Sequence, residues 1–223
     1  MTAEALTITL DGGAQVSGLW LRPEGAKAAL VLAHGAGVGM THKSMAAVAE
    51  GLAKRKIATL RFNFLYMEKK SGRPDAPPLA HKAVRAAVAE AGKRAGKLPL
   101  FAGGRSFGGR MTSQAQALEA LPKVRGLVFF AYPLHPAGKP GVERAEHLKD
   151  VKVPMLFLQG SRDPLAELAL LQKTVKGLKS LATLKLAEDA DHSFHVPAKT
   201  GRKDADVMDE ILDTAREWML DLA

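Results

Sequence analysis

The sequence contains no cysteine among its 223 residues. This absence excludes disulfide frameworks, cysteine nucleophiles and thiolate-bound metals. It also contains no apolar run near the roughly 20 residues that span a bilayer. Glu4 and Asp11 precede any basic group near the start, which is not the pattern of a secretory signal peptide. We therefore expect a cytoplasmic protein without a membrane partner.

Basic residues exceed acidic residues by 32 to 23, which gives a formal net charge of +9. Such an excess raises the possibility of a nucleic-acid partner. The densest basic groups, at 54–56 and 69–70, are not interleaved with aromatic side chains that would stack on bases. We therefore interpret the excess as solvated surface charge and expect no nucleic acid to bind.

Hydrophobic patterning predicts an α/β fold in a single domain spanning residues 1–223, a usual length for one domain. Two alternating segments joined by a glycine-containing turn at 11–13 predict an antiparallel N-terminal hairpin. Apolar runs and helical repeats then alternate, which predicts a mostly parallel central sheet with helices on both faces. No insertion is long enough for a cap domain. The predicted strands are 5–10, 16–22, 28–34, 57–64, 98–104, 124–131, 154–160 and 181–187. The predicted helices include 106–119 and 165–178, with further apolar helical repeats within 45–53, 79–91 and 207–222.

The segment Gly104-Arg105-Ser106-Phe107-Gly108 matches the pattern G-x-S-x-G between a predicted strand and a predicted helix. In that context the serine lies on a tight, strained turn that exposes its hydroxyl at the carboxyl edge of the sheet. We predict that Ser106 is a nucleophile. The alternative is a glycine-rich turn in which Ser106 only caps a helix.

An activated serine needs a base and a group that orients the base. Asp163 follows a buried strand, and it either orients the base or caps the next helix. His192 follows the last strand in a polar loop, and we favour it over His195 as the base because it lies nearer to the strand end. The order serine, acid, histidine is the one expected on this architecture.

Backbone N–H groups must stabilise the negative oxygen that forms during acyl transfer. We predict that one is the amide of Phe107, directly after the nucleophile, and the other is that of Ala36, in the glycine-rich loop after strand 28–34.

Two loops, 65–78 and 132–150, follow strand ends where open α/β sheets bind ligands. With no cap domain, we expect an open site walled by residues 65–78 and 132–140. The candidate pocket side chains are Met40, His42, Arg105, Tyr132 and His135. Arg105 would either attract an anionic substrate or serve as a surface arginine or a structural salt-bridge partner, and His42 and His135 would either line the pocket or have structural roles.

Two glycine-rich patterns resemble cofactor motifs but fail in detail. Gly35 to Gly39 is spaced G-x-G-x-G rather than G-x-G-x-x-G, and residues 37–44 have His42 where a phosphate-binding loop requires glycine. The histidines show no spacing typical of a metal site. We therefore expect neither a cofactor nor a metal.

As a set, HGAGVGMTHKSM, RFNFLYME, GGRSFGGRM, AYPLHPAGKPG, QGSRDP and DHSFH resemble the α/β-hydrolases. The resemblance covers roughly residues 28–220. It is strongest to a small subfamily without a lid that is similar to dienelactone hydrolases. That subfamily also includes related bacterial proteins and the hydrolase-like domain of an animal nonspecific-lethal chromatin-complex subunit.

The resemblance implies the fold, the Ser106–His192–Asp163 triad and the oxyanion loop, but no particular substrate. We expect a serine hydrolase that cleaves an ester, thioester or activated amide of a small-molecule acyl substrate. The alternative is a non-catalytic protein-interaction module that retains the triad.

Overall fold

The strands of the chain form one twisted sheet in a computed structural model that describes residues 2–223. The strands are β1 Glu4–Thr9, β2 Gln15–Leu21, β3 Ala28–Ala33, β4 Ile57–Phe62, β5 Leu100–Arg105, β6 Val124–Phe130, β7 Met155–Gly160 and β8 Ala182–Ala187. Their order in the sheet is β1-β2-β4-β3-β5-β6-β7-β8. The β1–β2 and β2–β4 pairs are antiparallel, and the other pairs are parallel.

Helices cover both faces of the sheet. They are α1 Lys43–Lys54, α2 Leu65–Glu68, α3 Pro77–Ala95, α4 Phe107–Leu118, α5 Leu168–Gly177 and α6 Asp204–Asp221. Short 3₁₀ helices lie at Glu143–Asp150, Lys179–Leu181 and Ala198–Thr200. The apolar faces of α1 and α6 pack on one side of the sheet, and those of α3, α4 and α5 pack on the other. The predicted α/β fold with an antiparallel N-terminal hairpin is confirmed.

The central strands are buried because their sequences are almost wholly apolar. Every residue of β3, AALVLA, is buried, as expected for a parallel strand covered on both faces. β3 lies between β4 and β5. The chain therefore runs from β3 to β4 on one side and later returns to β5 on the other side, which opens a crevice at the carboxyl end of β3. Ala33 of β3 pairs with Gly104 of β5 at that point. The loops after these two strands are therefore neighbours.

Several element boundaries differ from the predicted ones for identifiable reasons. β4 ends at Phe62 rather than 64 because the Phe64 N–H donates to a side chain, His34 Nε2, instead of continuing the ladder. α5 begins at Leu168 rather than 165 because the Leu165 N–H donates to Asp163 Oδ1 in a turn before the helix. The helix α2, Leu65–Glu68, lies in a segment predicted to be a loop.

Among residues 2–223, no helix has both the length and the apolar character needed to cross a membrane.

Candidate active site

Ser106 occupies a strained turn between β5 and α4. Its backbone angles are φ 50° and ψ −117°, a conformation that residues with a side chain rarely adopt. The Ser106 N–H donates to the Phe130 carbonyl oxygen at 3.1 Å, which ties the turn to the neighbouring strand β6. The side chain therefore projects from the carboxyl edge of the sheet.

The glycines on either side of the turn are needed for space. A Cβ on Gly108 would lie 2.5 Å from the Ala33 carbonyl oxygen and 2.6 Å from that of His34. A Cβ on Gly104 would also collide with the Ala33 carbonyl oxygen. The small residues of the motif thus allow α4 to approach the end of β3 closely, as the sequence pattern predicts.

His192 lies between Ser106 and Asp163. Its Nε2 is 2.9 Å from Ser106 Oγ, and its Nδ1 is 2.6 Å from Asp163 Oδ2. Asp163 also accepts hydrogen bonds from the Gln159 side-chain amide and from the Leu165 N–H. The buried carboxylate is therefore fully bonded and fixes the imidazole with Nδ1 as the donor, which leaves Nε2 free to accept a proton.

The loop that carries His192 is anchored to the end of β7. The Arg162 N–H donates to the Ala190 carbonyl oxygen, and a Cβ on Gly160 would collide with that same oxygen. Asp191 Oδ1 closes the turn by accepting the N–H groups of Ser193 and His195. Close packing at Gly160 thus brings the end of β7 and the β8 loop together, and with them Asp163 and His192.

His195 is paired with Asp204 rather than with Ser106. Its Nδ1 is 2.9 Å from Asp204 Oδ2, and 63% of its side chain is exposed, against 20% for His192. The hydrogen bond to Asp204 raises the pKa of His195. The structure thus brings His192, and not His195, to the serine.

Two backbone N–H groups beside Ser106 have no acceptor within residues 2–223. Within residues 2–223, the amides of Ala36 and Phe107 form no hydrogen bond, and both residues line a cavity that contains Ser106. Phe107 opens α4, so its N–H also lies at the positive end of that helix. The arrangement suits the predicted role of these amides as donors to an oxyanion.

Arg105 connects the two sides of the site. Its Nη2 donates to Ser193 Oγ at 3.1 Å and lies 3.4 Å from the His192 carbonyl oxygen. Burial lowers the pKa of Arg105. This predicted pocket residue therefore supports the His192 loop and also lines a cavity of about 400 Å³ beside Ser106.

His42 lines the same cavity and caps α1, since its Nδ1 accepts the Ser44 N–H. Three other predicted pocket residues, Met40, Tyr132 and His135, lie elsewhere and are 7%, 0% and 3% exposed. Tyr132 donates its hydroxyl to the Arg144 carbonyl oxygen, and His135 Nε2 accepts the Glu167 N–H. The polar side-chain atoms of Tyr132 and His135 therefore bond to the protein's own backbone. The expectation that these three line the pocket is corrected accordingly.

A second cavity beside Ser106, of about 490 Å³, is lined by Ala36, Ser106 and Phe107 and also by side chains that were not among the predicted pocket residues. Among them are three arginines, Arg73, Arg110 and Arg144. Arg110 follows Ser106 by one helical turn of α4. This spacing could have predicted that its side chain lies near the serine. Gln159 was missed as well, although a glutamine at the end of an apolar strand signals a buried hydrogen-bonding role.

No group of three or more histidine or acidic side chains within residues 2–223 is arranged to hold a metal ion.

The chain is similar to known proteins both in sequence and in structure. A family model described as an alpha/beta hydrolase domain matches residues 26–220. A dienelactone hydrolase from Anabaena variabilis is similar in structure, with a TM-score of 0.78 and 21% identity over 99% of this chain and 97% of that one.

Two further solved structures are similar over nearly their whole length. XC6422 from Xanthomonas campestris, described as an α/β serine hydrolase without a lid, has a TM-score of 0.75 and 22% identity, covering 98% of this chain and 95% of that one. Est1E from Butyrivibrio proteoclasticus has a TM-score of 0.74 and 15% identity, covering 98% of each chain. At these identities the likeness concerns the fold.

Proposed function

The chain belongs to the alpha/beta hydrolase domain family, and we propose that it is a serine hydrolase that cleaves an ester, thioester or activated amide through Ser106, His192 and Asp163. The observation that carries the proposal is the continuous hydrogen-bond chain from Ser106 Oγ to His192 and on to Asp163. Structural neighbours described as esterases or serine hydrolases support the same reaction class.

The geometry supports a two-step acyl transfer. His192 Nε2 takes the Ser106 proton as Oγ attacks the acyl carbonyl carbon, and Asp163 stabilises the resulting imidazolium. The amides of Phe107 and Ala36 stabilise the oxyanion. His192 then gives its proton to the leaving group as the carbonyl–leaving-group bond breaks. Water, deprotonated by the same imidazole, hydrolyses the acyl-enzyme and restores Ser106.

Within the family, we place the chain among small members that lack a cap domain and resemble dienelactone hydrolases, acting in the cytoplasm. The likeness of its motifs to the hydrolase-like domain of the nonspecific-lethal complex subunit raises the alternative function, a protein-interaction module. The intact hydrogen-bond chain at Ser106 favours the enzyme.

A fluorophosphonate probe tests the proposal, because it forms a covalent bond only with an activated serine. We expect labelling of the native protein at Ser106 and none in Ser106→Ala, with turnover of a neutral 4-nitrophenyl ester reduced by about 10³-fold or more in that variant. An unlabelled native protein would favour the interaction module.

The chain supplies a matched control in a second serine–histidine pair. Ser113 Oγ lies 2.8 Å from His147 Nε2, but Ser113 is buried and its hydroxyl also donates to the Arg110 carbonyl oxygen. We expect Ser113→Ala to label like the native protein. Labelling that depended on Ser113 would overturn the assignment of the nucleophile.

A further inference from the structure

Two cavities flank Ser106 and differ in whether they contain the general base. One, of about 400 Å³, is lined by His192 together with Arg105 and His42, and is called here the His192 cavity. The other, of about 490 Å³, lacks His192 and is called the arginine cavity. Because the leaving group must accept its proton from His192, the leaving group belongs in the His192 cavity. The acyl group then extends into the arginine cavity.

The arginine cavity carries an excess of positive charge. Arg73, Arg110 and Arg144 line it, and within residues 2–223 none of these three guanidinium groups forms an ion pair. Asp75 is the one acidic lining residue, and its Oδ2 accepts the Tyr66 N–H. The lining therefore retains an excess of two positive charges close to the proposed nucleophile.

Arg110 is the one of these three arginines with a buried donor that lacks a partner within residues 2–223. Its Nε is buried and forms no hydrogen bond with any atom of residues 2–223. Its guanidinium carbon lies 5.9 Å from the centre of the ring of Phe107, whose amide is the proposed donor to the oxyanion. Burial, and then the nearby positive charge of Arg144, lower the pKa of Arg110. The guanidinium as a whole is only partly buried and lines the cavity, and within residues 2–223 its other N–H groups donate no hydrogen bond either. An anionic ligand in the cavity can accept those N–H groups.

We propose that the arginine cavity binds a carboxylate at the far end of the acyl group, so that the preferred substrates are monoesters or monothioesters of short dicarboxylic acids. This proposal rests on the proposed hydrolase function, which defines the acyl side. The planar fork of an arginine matches a carboxylate, and Arg110 and Arg144 approach the ligand from two different elements, α4 and the 3₁₀ helix Glu143–Asp150.

The first test compares two esters that differ in one charge. Mono-4-nitrophenyl adipate carries the carboxylate, and methyl 4-nitrophenyl adipate is its neutral partner. We expect the native enzyme to prefer the anionic ester, and we expect Arg110→Gln or Arg144→Gln to lower kcat/KM for that ester by about tenfold. The loss for the neutral ester should be much smaller, because that ester has no carboxylate for the arginines to bind.

Lys173→Gln is the matched control, because it removes one positive charge from an exposed position on α5 outside both cavities. We expect it to keep the native preference. Using both Arg110→Gln and Arg144→Gln guards against one variant disturbing the Phe107 turn. Equal turnover of the two esters by the native enzyme would overturn the proposal and leave the hydrolase function standing.

The second test does not depend on turnover. Binding of monomethyl adipate to Ser106→Ala is measured by calorimetry, with dimethyl adipate as the uncharged comparison. We expect only the monoanion to bind, and its affinity to fall by about tenfold when Arg144→Gln is added. If the native protein hydrolyses neither ester but this binding is found, the carboxylate pocket is supported and the hydrolase function fails. If neither hydrolysis nor binding is found, both proposals fail.

Discussion

The imidazole of His34 joins the ends of two strands, since its Nε2 accepts the Phe64 N–H at 3.1 Å. Its Nδ1 lies 2.8 Å from the Gly35 carbonyl oxygen, to which it donates. The ring is fully buried, and burial lowers its pKa to about 4 despite the opposing effect of the Gly35 hydrogen bond. A neutral imidazole thus fixes the start of the loop that carries Ala36.

This buried imidazole predicts a loss of stability in acid. In the unfolded chain histidine titrates near pH 6.5, so between pH 6.5 and about 4 the unfolded state takes up a proton that the folded state does not. The contribution is fully present above pH 6.5 and is lost as the pH falls towards 4. We expect His34 to account for a decrease of about 3 kcal/mol at most in the free energy of unfolding.

Urea denaturation at pH 7 and pH 4.5 measures the effect, with His34→Gln as the comparison, because glutamine retains an acceptor for the Phe64 N–H. The variant should lose less stability on acidification than the native protein. Burial also lowers the pKa of His147 to about 4, so the informative quantity is the difference between the two proteins. Identical losses would show that His34 is protonated in the folded state.

Much of the site follows from local sequence. The apolar run of β3 predicts a buried central strand, and the glycines around Ser106 predict a strand–turn–helix with an exposed hydroxyl. His192 and Asp163 are each predicted by their positions after strands, because parallel strands end at one edge of a sheet. The structure brings these three side chains together at the edge where the sequence places them.

The arginine cavity does not follow from local sequence. Arg110 and Arg144 come from different elements, and only the packing of the 3₁₀ helix Glu143–Asp150 near α4 brings them to one cavity. Local sequence also misplaces Tyr132, which begins the loop predicted to wall the site and is therefore predicted to line the pocket. Its hydroxyl instead bonds the Arg144 carbonyl oxygen, while its ring packs against Phe129 and Phe157. Such partners are fixed by tertiary structure.

The strained backbone at Ser106 predicts a cost in stability that is separable from catalysis. Ser106→Ala and Ser106→Gly both lack Oγ, but only glycine adopts a φ of 50° without steric strain. Relief of strain should outweigh the greater freedom of glycine in the unfolded chain, so we expect Ser106→Gly to exceed Ser106→Ala by about 1 kcal/mol in the free energy of unfolding. Urea denaturation of the pair measures this difference. A glycine variant no more stable than the alanine variant would argue that the turn is unstrained.

Gln159 is predicted to position the triad without contacting substrate. Its Nε2 donates to Asp163 Oδ2, and its Oε1 accepts the Tyr132 N–H at 2.7 Å. Gln159→Leu removes a donor to the buried carboxylate, so we expect kcat to fall by about tenfold. KM for a neutral ester should stay near the native value, because Gln159 lines neither cavity beside Ser106.

Gln116→Leu provides the control for a purely structural effect. Gln116 is also buried, and its Oε1 accepts the Leu121 N–H at 2.9 Å beyond the end of α4. Both variants should lose about 1–3 kcal/mol of stability, because each leaves a backbone N–H unpaired. Only Gln159→Leu should lower kcat. An equal fall in kcat for the two variants would assign Gln159 a general structural role.

Gly108 lies so close to the end of β3 that its Cα has no room for a Cβ. A Cβ there would lie 2.5 Å from the Ala33 carbonyl oxygen and 2.6 Å from that of His34, and backbone atoms cannot rotate away as a side chain would. Gly108→Ala must therefore push α4 from the end of β3, at a cost of about 1–3 kcal/mol in stability. The same displacement separates the Phe107 amide from Ala36, so kcat should fall as well.

In Gly177→Ala the new Cβ has open space at the end of α5, and we expect a gain of up to about 1 kcal/mol in the free energy of unfolding with unchanged kcat. Thermal denaturation and ester turnover of both variants measure these effects, and a Gly108→Ala protein with native stability and native kcat would show that the close approach of α4 to β3 is not required.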